Sequence, residues 1–207
     1  MSERTLTREE AKSITRRRLI DAALKIASEG GGRRLTASQV AREAGVAQPT
    51  FYVHFRDRDE LLHAVGETQI GKLRRELKQS RQDIDLDAIA QGVDDEALRT
   101  SIRVPLETIA RQGVLFRVYV QERAYGDSPL GRQCRQLSDE LRDDLVEDLR
   151  KVDEHVGRER STEDLTVLAD AITGMTEALG LGYLDGRYRD LAPIIESIAR
   201  MTRVALA

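Results

Sequence analysis

The chain has 207 residues, 40% of them hydrophobic and 33% charged, with a formal net charge of -3, enough apolar material for one large domain or a small one joined to a larger one. No apolar run approaches the roughly 20 residues needed to span a bilayer, the start MSERTLTREEAKSITRRR lacks the apolar stretch of a signal peptide, and the single cysteine, Cys134, excludes an intrachain disulfide. These features lead us to expect a cytoplasmic protein with no membrane partner.

The charge is unevenly divided. Residues 1–58 carry 12 Lys plus Arg against 7 Asp plus Glu, a net of +5, and residues 59–207 carry 21 against 29, a net of -8. A basic head suits a polyanion such as DNA, which an evenly spread negative charge would oppose.

In chain order, Thr7 and Glu10 form a capping box, and Leu19, Ala23, Ile26 and Ala27 fall at i, i+4, i+7 and i+8 before Gly30, Gly31 and Gly32. This predicts a first helix. Arg16, Arg17 and Arg18, with Arg4, Arg8 and Lys12 before them, make the densest basic run. As a group they are placed to line a phosphate backbone or a minor groove, although a solvated helix face accounts for any one of them equally well.

Thr36 and Gln39 form a second capping box, Val40, Ala41 and Ala44 a narrow apolar stripe, and Gly45 can take the left-handed conformation that ends a helix. Pro49 suits the first position of a new helix; Phe51 and Phe55 bury one face and leave Gln48, Thr50, Tyr52 and His54 opposite. A helix of about two turns is too short to hold by itself, so those side chains contribute little to the fold. They do suit a DNA groove: Gln pairs bidentately with adenine, Thr offers a methyl to thymine, and Tyr and His donate to phosphate. A helical hairpin with a solvated face has the same local pattern.

Asp57 caps a fourth helix carrying Leu61, Leu62, Val65, Ile70, Leu73 and Leu77 to about Ser80, a lever from the basic head to the acidic body. Residues 82–95 read as a loop with a short helical turn at 86–90, and helical patterns follow at 96–111, 114–125, 130–155, 162–184 and 191–206. No segment alternates as a strand. The glycines near 30, 126 and 180–186 read as turns or close helix contacts. The expected fold is all-α: a three-helix helix-turn-helix domain over residues 1–56, and a larger helical domain over residues 57–207, entered by the long helix.

Leu165, Leu168, Ala169, Ile172, Met175, Thr176 and Leu179 form a broad stripe with small Ala171, Gly174, Ala178, Gly180 and Gly182 beside it; Ile194, Ile195, Ile198, Met201, Thr202 and Ala205 form another. Such stripes fill an internal core or meet a second copy. Between Val114 and Gly126, Phe116, Val120 and Tyr119 give an apolar side with few polar anchors, as a small-molecule pocket requires. Enzyme readings have little support. His54, His63 and His155 are too far apart for a local metal motif, no nucleophile elbow or P-loop spacing occurs, and GLGYLDG at 180–186 has the wrong third spacing for a dinucleotide site. Asp143, Asp144, Glu147 and Asp148 read as a solvated face. No metal and no cofactor is expected.

The stretch GVAQPTFYVHFRDRDELL resembles the recognition-helix signature of the TetR family of bacterial transcriptional repressors, and the resemblance extends over residues 7–62. It implies that Thr36 touches phosphate, that Gln48, Pro49, Thr50, Tyr52 and His54 enter or flank the major groove, and that Arg58 holds phosphate from the fourth helix. Ser38 stands where some members place a base-reading arginine, so base reading falls chiefly to the second helix of the pair. The resemblance also implies a homodimer through the last two helices, two reading helices about one DNA turn apart on a palindromic double-stranded operator, and a small-molecule effector. Phe116 to Arg132, FRVYVQERAYGDSPLGR, is similar to the branch that senses fatty acyl thioesters. That branch implies a tail among Phe116, Val120, Met175 and Leu179 and an anionic head met by Arg117, Arg123 or Tyr183. Three modes of action stand: release from the operator by effector, tightening by a co-repressor, and non-specific architectural binding.

Overall fold

The computed structural model describes residues 7–30, 35–82, 84–91, 95–125 and 127–206, without the side chains of Ser80 and Asp95; Arg4, Gly31, Gly32 and Gly126, named above, lie outside the described residues. Every regular element among them is helical: α1 (Arg8–Gly30), α2 (Ala37–Glu43), α3 (Gln48–His54), α4 (Arg58–Val65), a π-helical turn (Gly66–Ile70), α5 (Gly71–Arg81), α6 (Leu86–Gln91), α7 (Asp95–Arg111), α8 (Gly113–Tyr125), α9 (Pro129–His155), α10 (Thr162–Leu184) and α11 (Ala192–Leu206). They divide into two compact units, Met1–Lys72 with Val114–Arg135, and Leu73–Gly113 with Gln136–Ala207. None of the described helices is long and apolar enough to cross a membrane.

In the first unit α1 begins at the expected box: Thr7 N donates to Glu10 Oε2 (2.8 Å) and Glu10 N to Thr7 Oγ1 (3.2 Å). Its face of Leu19, Ala23 and Ala27, extended by Ile20, is buried and packs against α2 and α4. Asp57 caps α4 by accepting Glu60 N at 2.8 Å.

The fourth helix departs from the expected uninterrupted run to Ser80. After α4 the chain makes one π turn, closed by the Gly71 N–H donating to Gly66 O, before α5 resumes. Two local features accompany it. Thr68 Oγ1 donates to Ala64 O at 2.6 Å, a side-chain bond to the preceding turn of the kind that bends helices. The Gln133 side chain occupies the place a Cβ on Gly66 would take, with its Nε2 2.9 Å from His63 Nδ1. A single inserted turn of this type is the usual form of π-helix.

In the second unit Leu165 and Ala169 of α10 pack against Val146 and Leu149 of α9, with Leu145, Leu168, Ile172 and Leu206 around them. Ile194, Ile195, Ile198 and Thr202 of α11 are likewise buried, and α11 packs on α7. Most of both stripes therefore fills the chain's own core. The faces left open differ: Val167 (64% exposed) with Ala171, Gly174 and Ala178 on α10, and Met201 (53%), Val204 (74%) and Ala205 on α11. Gly180 sits where its Cβ would lie 3.0 Å from Ile109 Cδ1, a close contact with α7, whereas nothing lies within 4 Å of a Cβ on Gly174.

The acidic side of α9 is only partly solvated. Asp143 and Glu147 are exposed, but Asp144 and Asp148 bind Arg81 of α5 at 2.5 and 2.7 Å, and Glu140 pairs with Arg74. A residue seven positions away in sequence, Arg160, meets the buried Asp153 with two bonds of 2.5 and 2.8 Å.

Candidate nucleic-acid interface

Local devices set the angle between α2 and α3. At the start of α2, Gln39 N donates to Thr36 Oγ1 (3.3 Å) while Thr36 N and its hydroxyl both donate to Gln39 Oε1 (3.1 and 2.9 Å). The exposed Thr36 hydroxyl, expected at a phosphate, is thus already engaged as the cap. At the other end Gly45 takes φ +65°, a conformation that costs an L side chain about 1–2 kcal/mol. Arg18 of α1 explains why the space there is closed as well: its Nη2 donates to Ala44 O at 2.5 Å and would lie 2.9 Å from a Cβ on residue 45. A cation on the last carbonyls of a helix stabilises that end. Arg18 is therefore a cap for α2, a role the basic run did not reveal because it depends on a contact 26 residues away.

Helix α3 starts at Gln48, so Pro49 stands one position later than expected, still within the first turn, where no intrahelical N–H is required. Phe51 and Phe55 are 0% and 1% exposed. At about 100° per residue, the direction opposite them falls at Pro49 and Val53, with Tyr52 on one flank and Thr50 and His54 on the other. The exposures agree: Val53 66% and Tyr52 56%, Gln48 and Pro49 exposed, Thr50 and His54 half-buried. The expected outer set of Gln48, Thr50, Tyr52 and His54 is thereby re-sorted, since every second residue spreads around a helix and lines one face only of a strand. Val53 was missed. Its signal was present, a β-branched apolar residue whose neighbours three and four positions away are Thr50, Pro49, Arg56 and Asp57.

The basic face of α1 meets the end of α3. The Arg16 guanidinium lies 4.8 Å from the centroid of the Phe55 ring, a cation–π arrangement. Burial, then the nearby charges of Lys12 and Arg16, hold the His54 imidazole below its ordinary pKa, and its buried Nδ1 has no hydrogen-bond partner among the described residues. Neutral His54 thus has one N–H to offer a phosphate. Arg17 and Ser38 are exposed; Arg58 is exposed and bonds Asp59 at 3.2 Å, a carboxylate with which a phosphate would compete.

The seven residues expected at an effector fall in both units. On α8, in the first unit, Phe116 is buried and stacks on Tyr119 (6.0 Å between centroids), Arg123 lies over the Tyr119 ring at 5.3 Å, and Arg117 and Val120 are half-buried. Beside them the buried Glu122 accepts a bond from Ser128 Oγ at 3.1 Å, and burial, helped by Glu122, pushes the Cys134 thiol up to about 12. On α10, in the second unit, Met175, Leu179 and Tyr183 are half-buried.

Residues 19–65 match the model of the bacterial regulatory proteins of the tetR family. The whole chain is similar in fold to a TetR-like transcriptional regulator from a Rhodococcus species (18% identity, 98% of this chain and 96% of that one, TM-score 0.68). It is similar to FadR of Bacillus subtilis in complex with stearoyl-CoA (18%, 90% and 96%, TM-score 0.66), and to AibR in complex with isovaleryl coenzyme A and operator DNA (14%, 90% and 97%, TM-score 0.67).

Proposed function

We propose, for a chain whose residues 19–65 match the model of the tetR family of bacterial regulatory proteins, that it is a cytoplasmic DNA-binding repressor of that family rather than an enzyme. It binds a palindromic double-stranded operator as a homodimer, and a small apolar effector releases it. The observation that carries this reading is the exposed face of α3, held at a fixed angle by the Thr36 box, Gly45 and Arg18 and flanked by the basic residues of α1. Residues 1–56 read DNA; residues 57–207 bind effector and dimerise.

The open faces of α10 (Val167, Ala171, Gly174, Ala178) and α11 (Met201, Val204) support docking of a second copy, since exposed apolar stripes on paired helices gain by mutual burial. In a two-fold dimer each stripe meets its own counterpart. For the effector we propose an acyl thioester, the ligand class bound by FadR of B. subtilis and by AibR. Within the first unit its contacts would come from Phe116, Arg117, Val120 and Arg123 on α8.

The test is to recover an operator by selection from genomic fragments and to titrate the protein on it with stearoyl-CoA and isovaleryl-CoA. Loss of affinity on adding thioester is the expected result. Tightening would make the thioester a co-repressor, and equal affinity for every duplex would reduce the protein to a non-specific binder.

A further inference from the structure

We infer that Val53, with Pro49 beside it, selects operator positions that carry a 5-methyl group in the major groove, thymine above all; this rests on the operator-binding reading. The direction opposite the buried Phe51 and Phe55 is the centre of the face that α3 presents, and it holds two apolar side chains, Pro49 exposed and Val53 66% exposed. Polar groups occur only to the sides and at the helix start: Tyr52 on one flank, Thr50 and His54 on the other, Gln48 in the first turn.

Val53 adds little to the fold at this position. About two thirds of its surface stays in solvent, and an exposed valine is a poorer helix former than alanine because its χ1 is restricted against the preceding turn. Base edges in the major groove are made of hydrogen-bond donors and acceptors, and their one apolar element is the thymine methyl. A donor or acceptor pressed against Val53 would lose its water and gain no partner, whereas a methyl gains by burial against it. The net charge of +5 over residues 1–58 commits the occupant to a polyanion, and the width of the groove admits a helix with its outward face toward the bases.

The experiment uses the full chain and the selected operator duplex, with uracil replacing thymine one position at a time, so that only a methyl is removed. Affinity is read by fluorescence anisotropy at fixed salt. With the unaltered protein, at least one position in each half-site should weaken binding about 4-fold, the worth of one buried methyl group. With Val53→Ala that position should become indifferent to the methyl while the others keep their responses. The inference is overturned if no thymine responds to loss of its methyl, or if Val53→Ala shows the same responses as the unaltered protein. Equal binding of all unmodified duplexes would instead sink the operator reading itself, and it would show before any uracil is introduced. Val53→Ala should keep its melting temperature, because the side chain it shortens is exposed.

Discussion

Apolar burial and backbone caps hold the reading head, whereas guanidinium–carboxylate pairs tie much of the second unit. In the head, Phe51, Phe55, Leu61 and Leu62 are 0–1% exposed, and the ends of α2 and α4 are closed by Thr36, Arg18 and Asp57. In the second unit Arg74, Arg81 and Arg160 each reach a carboxylate on α9. Both are helical, yet they should respond differently to perturbation: burial is indifferent to salt, while exposed and half-exposed ion pairs weaken as the Debye length falls from about 10 Å at 0.1 M to about 3 Å at 1 M.

The largest expected effect is in the head. Phe51→Ala empties a fully buried site and should cost about 3–5 kcal/mol, abolishing operator binding; thermal melting followed by circular dichroism checks it. Asp153→Ala takes the carboxylate from Arg160, which keeps its bond to Ala205 O, and should cost about 3 kcal/mol, the low end for a broken buried pair because Arg160 is partly solvated. Its melting temperature should fall while DNA affinity of the folded protein is kept. Gly45→Ala, strained at positive φ and crowded by Arg18, should cost about 1–2 kcal/mol and weaken DNA binding out of proportion to stability, since it moves α3.

A smaller effect distinguishes the two regions by pH. His54 has a folded pKa below its unfolded one, so the unfolded chain binds more protons as the medium is acidified. The stability it contributes is complete above about pH 6.5 and is lost as pH falls through the folded pKa. Melting between pH 7.5 and 5 should show that loss, and His54→Gln should lessen it. Smallest is Arg74→Ala, which removes a pair 41% and 23% exposed at its two ends and should change stability by less than about 1 kcal/mol, with the difference vanishing at 1 M salt.

The head was legible because its instructions are local. Thr7 with Glu10, Thr36 with Gln39, and Asp57 with Glu60 each act over three residues, and all three form as expected. Ser161, which caps α10 by accepting Asp164 N at 3.1 Å, does the same for a helix whose limits were read from periodicity alone. What stayed hidden is settled at long range. Periodicity put Leu165 in the α10 stripe and left Val167 out, but only the packing of α9 decides that Leu165 lies in the chain's own core. Arg18 could not be separated from Arg16 and Arg17 until α2 stood beside it. Val53 is a different case, an apolar residue whose one apolar neighbour at helical spacing is the exposed Pro49, and it could have been found by drawing α3 at 100° per residue.

The π turn at Gly66–Ile70 stores slack. A turn closed between Gly66 and Gly71 contains one residue more than an α-helical turn, so this segment can lose a residue and become plain α-helix. A deletion inside α4 or α5 has no such reserve and would shift every later side chain about 100° around the helix axis. The chain thus has a built-in expansion joint, bounded by two glycines and gripped by Gln133, where a one-codon change in length can be absorbed without re-aiming the side chains that follow.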